Sequence, residues 1–300
     1  MRVFGVMRLV MVLGVCSVVF SCAPVVPGAP PIAAQGVPVG TPVPALPLPE
    51  SPWPTAPVPA VSSVSAVVLD GVTGRILAAK NPHEKRAVAS TQKMLTALTV
   101  LESGPLSDPV TVESGDTIVE PSKIYIRSGE TYTRGALVKA LVVKSGNDVA
   151  KALARDVAGS EEQFMVRMNQ KAQRLGMRNS FFVNPHGLTE EGQYSTGMDV
   201  AVLGRAAYQS AVLRSFMKVK RYEFVRPSGK TKELVNTNRL LERVEYCTGM
   251  KTGTTRASGK CLISAGELNN RVAIVVVLGA PSEAVLYRES EALLRWALER

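Results

Sequence analysis

The stretch Ala-Ser-Thr-Gln-Lys-Met, residues 89–94, is the point around which the chain is organised. Ser90 and Lys93 are three positions apart, and the apolar run that follows predicts a helix over residues 94–101. Positions i and i+3 of a helix lie on one face, so this hydroxyl and this amine can meet. Lys93 also falls on the inward apolar stripe of that helix, where desolvation lowers proton affinity and favours action as a base.

Taken alone, this pair has an ordinary structural interpretation as a helix-start serine and a lysine that reaches solvent. Two further short elements change that balance, namely Ser145-Gly146-Asn147 and Lys251-Thr252-Gly253. Each is weak by itself, because Ser and Asn favour turns and an edge-strand lysine discourages aggregation. The three elements in this order match the S-x-x-K, serine-asparagine and K-T-G signature of β-lactamases and penicillin-binding proteins.

On these motifs the chain resembles the low-molecular-weight penicillin-binding proteins, the D-alanyl-D-alanine carboxypeptidase family of serine peptidases. The middle element is Ser-Gly-Asn, as in that family, rather than the Ser-Asp-Asn of class A β-lactamases. Residues 182–188 and 236–241 also resemble family segments outside the three elements. The likeness covers residues 62–300, which is essentially the whole region expected to fold.

The resemblance implies roles for four side chains in acyl transfer. Ser90 would be the nucleophile, and Lys93 the base that takes its proton. Ser145 and Lys251 would form the opposite wall and relay a proton to the departing D-alanine. Whether Lys93 is the sole acylation base is disputed in related enzymes and stays open here.

The resemblance also implies a substrate-binding set. Asn147 would bind a backbone amide of the substrate, and Thr252 would contact its terminal carboxylate next to the charge of Lys251. Gly253 completes the third element, and the backbone N–H groups of Ser90 and Thr254 would form the oxyanion hole.

The implied activity is removal of the terminal D-alanine from peptidoglycan pentapeptides, with β-lactams as covalent inhibitors. Cleavage of D-alanyl cross-links by an endopeptidase uses the same machinery and stays open. A β-lactamase is disfavoured, because residues 161–169 predict a capped amphipathic helix and lack the Glu-x-x-x-Asn element of class A enzymes. A non-catalytic wall-binding lipoprotein is disfavoured by the presence of all three elements together.

The order of predicted strands and helices indicates an α+β fold. Residues 65–79 predict a β-hairpin, and three strands over 250–256, 260–265 and 272–278 follow the predicted helices. The last of these strands is apolar throughout and should be buried on both faces. We therefore expect one antiparallel sheet made from both chain ends, flanked by helices and carrying an inserted helical lobe. This is the β-lactamase/transpeptidase-like arrangement.

The N-terminal region predicts export and anchoring. Residues 1–21 have a signal-peptide layout of two arginines and an apolar run, and they end in a lipobox-like sequence before Cys22. Cys22 is the expected lipidation site, with ordinary cleavage or an uncleaved anchor as alternatives. Residues 22–61 predict a proline-rich tether that could reach on the order of 100 Å. The predicted catalytic domain at residues 62–300 would thus work outside the cytoplasm of a bacterium, held to a membrane at the periplasmic side.

The composition of the chain argues against nucleic acids, metals and cofactors as its binding partners. The formal charge is +10, but the basic residues are scattered and aromatic residues are only 5% of the chain, so a nucleic-acid reader is not expected. With two histidines and no His/Cys cluster of zinc spacing, we expect neither a metal nor another cofactor. Cys261 should be a small buried residue opposite residues 253–255, although a disulfide with Cys247 is possible. His186 is interpreted as a structural residue that is not beside any of the three elements.

Overall fold

The computed structural model describes residues 56–299. The predicted signal peptide, Cys22 and most of the predicted tether lie outside the described residues. The helices are α1 (Lys93–Leu101), α2 (Arg134–Lys144), α3 (Asn147–Ala158), α4 (Glu161–Leu175), α5 (Gly197–Gln209), α6 (Ala211–Met217), α7 (Leu240–Arg243) and α8 (Glu283–Leu298). The strands are β1 (Ser65–Asp70), β2 (Ile76–Lys80), β3 (Pro109–Thr111), β4 (Thr131–Thr133), β5 (Arg221–Val225), β6 (Thr231–Val235), β7 (Cys247–Thr255), β8 (Gly259–Leu268) and β9 (Arg271–Ala280).

The main sheet is made from both ends of the described chain. Its five strands lie in the order β2-β1-β9-β8-β7, and every neighbouring pair is antiparallel. The predicted apolar strand β9 lies in the middle, and residues 273–278 are fully buried, as predicted. The α+β prediction, with one antiparallel sheet and a helical lobe between its halves, is confirmed.

Side-chain alternation along β9 sends its residues to two different cores. Ile274 and Val276 face the inserted helices, where they join a cluster that includes Phe164. Val275 and Val277 face the opposite side, which is covered by α8. The central strand therefore holds both layers of the domain together, because it contributes apolar area to each.

Local signals fix the ends of the inserted helices. Ser160 caps α4, its hydroxyl accepting a hydrogen bond from the Gln163 N–H at 3.2 Å, and Gly176 ends the helix at φ +87°. The helix over residues 161–169 was predicted on this signal. The segment before α2 contains two short paired strands, β3 and β4. None of the helices described between residues 56 and 299 has the length and apolarity to cross a bilayer.

Candidate active site

Ser90 and Lys93 lie where a single 3₁₀ turn, Ala89–Gln92, runs into α1. Lys93 Nζ and Ser90 Oγ are hydrogen-bonded at 2.9 Å, and the neutral amine would accept in this pair. Ala89, directly before the serine, has φ +51°, a left-handed conformation that costs energy for a residue with a Cβ. Ser90 is half-buried and Lys93 is only 1% exposed, so the hydroxyl stands at the edge of the cleft and the amine inside it.

Two further groups hold the Lys93 amine in place. Its Nζ donates to Asn147 Oδ1 at 2.6 Å and, through a very short contact, to the carbonyl oxygen of His186. These acceptors lie on two other segments, the start of α3 and the loop before α5. The amine is therefore oriented by three fixed partners, while the side-chain stem is buried in the apolar stripe predicted for α1.

The electrostatics of the site favour a neutral Lys93. Burial holds the pKa of Lys93 well below its ordinary value, and the nearby charge of Lys251 lowers it further, while Asp148 acts in the opposite direction. Burial alone lowers the pKa of Lys251 to about 7. Neither lysine forms an ion pair with any carboxylate between residues 56 and 299.

The second element forms the junction between α2 and α3. Ser145 ends α2 in a left-handed conformation at φ +69°, and its N–H donates to Leu141 O at 3.0 Å. Asn147 begins α3, and its Nδ2 donates to Pro121 O at 2.6 Å while its Oδ1 receives Lys93. Both residues are buried, and the Asn147–Lys93 contact brings the junction against α1, whereas within residues 56–299 the described hydrogen bonds of Ser145 are through its backbone.

The third element occupies the edge strand β7. Gly253 backs directly onto the 3₁₀ turn, because a Cβ placed on it would lie 2.8 Å from the Ser90 nitrogen. Alternation then puts Thr252 and Thr254 on the other face of the strand, where they line a recess of about 380 Å³ together with Lys144 and Arg239. The Thr252 hydroxyl donates to Thr237 Oγ1 at 2.7 Å.

The interpretation of His186 as lying away from the three elements was wrong. Its carbonyl oxygen accepts from Lys93 Nζ and lies 3.4 Å from Ser90 Oγ. The next residue, Gly187, has φ +90°, and a Cβ there would overlap the Ala89 carbonyl, so the loop must pack closely on the turn. The imidazole plays a local part, accepting from the Leu188 N–H, and burial followed by the charge of Lys93 lowers the pKa of His186 to about 3.

Asp148 is a supporting residue that the sequence patterns did not single out. Its fully buried carboxylate accepts hydrogen bonds from the backbone N–H groups of Ile124, Tyr125 and Ile126 at 2.8–3.2 Å. It thereby fixes the loop before β4 against the start of α3. Its place directly after the Ser-Gly-Asn element was the available signal, because an acid in the first turn of a helix is well placed to accept from backbone groups.

The two downstream cysteines are separate in the sheet. Cys261 on β8 pairs in register with Gly253, as predicted, whereas Cys247 pairs with Gly266. Both thiols are buried and free, so the disulfide that the sequence left possible is not formed.

Comparison with known proteins places this arrangement in a family. Residues 53–282 match the family model described as D-alanyl-D-alanine carboxypeptidase. The chain belongs to the D-alanyl-D-alanine carboxypeptidase family. It is 36% identical to the D-alanyl-D-alanine carboxypeptidase DacF of Bacillus subtilis over 72% of this chain. It is also 30% identical to a D-alanyl-D-alanine endopeptidase of Escherichia coli, covering 79% of this chain and 78% of that protein.

Solved structures of the family share the fold. The D-alanyl-D-alanine carboxypeptidase from Mycobacterium tuberculosis H37Rv superposes with a TM-score of 0.77 at 28% identity, covering 82% of this chain and 95% of that one. The chain spans 57% of the length of the Bacillus subtilis relative and 62–63% of two carboxypeptidases of Escherichia coli. The match therefore corresponds to one part of those longer proteins.

Proposed function

We propose that this chain is a serine-type D-alanyl-D-alanine carboxypeptidase, which removes the terminal D-alanine from peptidoglycan stem peptides through an acyl-enzyme. The observation that carries the proposal is the buried Lys93 amine 2.9 Å from Ser90 Oγ. A serine hydroxyl is a weak nucleophile unless a neighbouring base takes its proton. A lysine whose pKa is held well below its ordinary value by burial can be such a base, its lone pair accepting from the Ser90 hydroxyl while its two N–H groups donate to Asn147 Oδ1 and the His186 carbonyl.

Acylation begins with attack of Ser90 Oγ on the carbonyl carbon of the penultimate D-alanine, as its proton passes to Lys93 Nζ. The developing oxyanion is stabilised by the backbone N–H groups of Ser90 and Thr254. The close packing of Gly253 against the turn supports this role, because it brings strand β7 next to the Ser90 nitrogen.

Collapse of the tetrahedral intermediate breaks the C–N bond and releases D-alanine. Its amine receives, by way of Ser145 and Lys251, the proton that Lys93 took from Ser90. Water then attacks the ester carbonyl, and the Ser90 hydroxyl is restored as the shortened peptide leaves. The pKa of about 7 for Lys251 suits proton relay, since both protonation states are populated near neutral pH.

Substrate recognition divides between the two walls of the cleft. Asn147 binds a backbone amide of the acyl side, with its carboxamide oriented by the contacts to Lys93 and Pro121. The terminal carboxylate lies by Thr252 and Gly253 on the opposite wall, near the charge of Lys251. Of the two cations that line the recess behind Thr252 and Thr254, Arg239 is paired with Glu283 at 3.5 Å, so Lys144 is the one that adds charge on this side.

β-Lactams act as covalent inhibitors in this proposal, because they acylate the same serine in place of the D-alanyl peptide. Residues 1–21 direct export, Cys22 carries the lipid and residues 22–61 connect it to the catalytic domain at 62–300. The enzyme thus works in the bacterial cell envelope, outside the cytoplasm.

Labelling with a fluorescent penicillin tests the acyl-enzyme. Wild type should retain the label through denaturing electrophoresis, and Ser90→Ala should not. D-Alanine release is then assayed from a soluble pentapeptide precursor. If the folded wild-type protein is not labelled, an acyl-enzyme mechanism is contradicted. If it is labelled but releases no D-alanine, the physiological acyl donor is a different substrate.

The second candidate is a DD-endopeptidase that cleaves peptidoglycan cross-links. It rests on the 30% identity to the Escherichia coli endopeptidase, and coverage does not separate the two activities, since the chain covers 78% of that protein and 95% of the Mycobacterium tuberculosis carboxypeptidase. Incubation with cross-linked muropeptide dimers separates the two, since an endopeptidase converts dimers to monomers without releasing free D-alanine.

A further inference from the structure

Tyr125 is an exposed aromatic residue on a backbone that is fixed and strained. The side chain is 59% exposed, and φ is +64°, a region that bulky residues rarely adopt. The Tyr125 N–H donates to the buried Asp148 carboxylate at 2.8 Å, and its carbonyl accepts from Arg226 at 2.8 Å. Such strain persists only where surrounding contacts enforce it, and it concentrates at functional sites.

Two lysines flank the Tyr125 ring. Lys123 Nζ lies 5.5 Å and Lys232 Nζ 5.1 Å from the ring centroid, within the range of a cation–π contact. Lys123 also forms an ion pair with the exposed Glu120 at 2.5 Å. Lys232 donates to Ile124 O at 3.2 Å, and it forms no ion pair with a carboxylate of residues 56–299. We call Lys123, Tyr125 and Lys232 the Tyr125 platform.

The platform adjoins the Asn147 wall of the cleft. The loop that carries it begins at Pro121, whose carbonyl accepts from Asn147 Nδ2. Ser122 O accepts from the Asn147 N–H at 2.7 Å, and Ser122 Oγ donates to Ser145 O at 3.3 Å. The platform is thus tied to the wall proposed to bind the acyl side of the substrate, and not to the recess proposed for the terminal carboxylate.

We propose that the Tyr125 platform binds the acyl portion of the stem peptide, upstream of the two D-alanines, and favours a residue there with a free side-chain carboxylate. The proposal rests on the proposed function and adds a specificity determinant to it. The Lys232 amine supplies charge for the carboxylate, since Lys123 is already paired with Glu120, and the ring supplies a flat surface for the aliphatic part of the same side chain. A ring held rigidly before binding loses little conformational freedom when the peptide docks.

The test uses two soluble pentapeptides that differ only at the third residue, one with diaminopimelate and its free carboxylate, the other with lysine. Wild type should cleave the first with a kcat/KM about three- to fivefold higher at low ionic strength. Lys232→Gln should abolish that preference, and added salt should reduce it in wild type. Tyr125→Ala should lower kcat/KM for both peptides. Lys139→Gln is the matched control, since the Lys139 amine also lies over a tyrosine ring, 4.4 Å from the centroid of Tyr222.

Acylation by benzylpenicillin, which lacks the stem peptide, separates this proposal from the proposed function. Lys232→Gln and Tyr125→Ala should still form the covalent penicilloyl adduct at Ser90, which shows that the nucleophile is intact, and a urea unfolding midpoint near that of wild type shows that they fold. If wild type cleaves the two peptides with equal kcat/KM, or if the preference persists in Lys232→Gln, the proposed role of the Tyr125 platform is wrong. The proposed carboxypeptidase activity is not affected by that outcome. Absence of penicillin labelling in wild type would instead overturn the proposed function.

Discussion

The two faces of the main sheet differ in how their buried ionisable side chains are partnered. On the α8 side, the Glu289 carboxylate is 3% exposed and accepts four hydrogen bonds of 2.5–3.1 Å from the backbone and hydroxyl groups of Ser62 and Ser63. On the side of the inserted helices, Lys93 and Lys251 are equally buried but form no ion pair within residues 56–299. The charge of buried Glu289 is therefore compensated by hydrogen bonds, whereas burial of the two lysines lowers their pKa values.

The pKa values express this difference. Burial by itself would raise the pKa of Glu289, but the hydrogen bonds from Ser62 and Ser63 outweigh it and hold the pKa below its ordinary value, so the group stays charged. Burial lowers the pKa of both lysines, because the direct hydrogen-bond partners of Lys93 carry no charge and the more distant Asp148 does not offset burial and the charge of Lys251. A compensated charge stabilises the fold, whereas an uncompensated amine is available for proton transfer.

The largest expected effect comes from removing the uncompensated amine. Lys93→Ala should slow acylation by penicillin about a thousandfold, because Ser90 then loses its base. Stopped-flow acylation kinetics give the rate. Lys93→Met, which keeps much of the side-chain volume, is the control for packing. A wild-type acylation rate in a folded Lys93→Met protein would remove Lys93 from the mechanism.

A smaller loss should follow from disturbing the contact between β7 and the 3₁₀ turn. In Gly253→Ala the new Cβ would lie 2.8 Å from the Ser90 nitrogen and 3.0 Å from the Ala89 Cβ, so strand and turn must separate. We expect acylation to fall about a hundredfold through the weakened oxyanion hole. Gly115→Ala is a matched control on activity, because a Cβ there meets nothing within 4 Å and the backbone is not left-handed. Equal rates for both variants would show that the close approach has no catalytic consequence.

On the compensated side, the expected effect is on stability alone. Glu289→Ala should lower the free energy of unfolding by about 2 kcal/mol, since four donors lose their acceptor. Because the folded pKa lies below the ordinary value of 4.5, this contribution is present at neutral pH and is lost as pH falls through the folded pKa. Urea denaturation measures it.

Glu291→Ala on the same helix is the control, because Glu291 forms only a partly exposed ion pair with Arg295 and should cost well under about 1 kcal/mol. Penicillin labelling of folded Glu289→Ala should match wild type. If Glu289→Ala loses labelling but keeps its stability, the α8 side of the sheet affects the active site directly, contrary to this expectation.

The smallest expected effect is a pH dependence of about tenfold. Lys251 is protonated below its pKa of about 7 and neutral above it, so its attraction for the substrate carboxylate falls as pH rises. The apparent second-order acylation constant should therefore decline by about tenfold from pH 6 to pH 8 through this group. In Lys251→Arg the guanidinium stays charged, and the decline should disappear even if the overall rate is lower. A decline that persists in Lys251→Arg belongs to another group.

The helices and long strands of the fold could be predicted from the sequence, because periodicity and capping signals are local. The hairpin at residues 65–79, the apolar strand β9 and the helix capped by Ser160 all follow from short patterns. The short strands β3 and β4 could not be predicted in this way, since three-residue strands carry too little pattern to separate from a turn-rich segment. Their pairing depends on contacts between residues about twenty positions apart.

For the candidate site, the sequence determined which side chains to consider, because serine, lysine and asparagine have chemistry that residue type alone reveals. It also placed Lys93 on the inward stripe of its helix, where burial follows from helical periodicity. The contact of His186 with Lys93 could not be predicted this way, because it is made by a backbone carbonyl, which every residue possesses. Only the tertiary structure decided that this carbonyl, the Asp148 carboxylate and the Ser90–Lys93 pair converge, since their meeting depends on how the loops pack across the sheet.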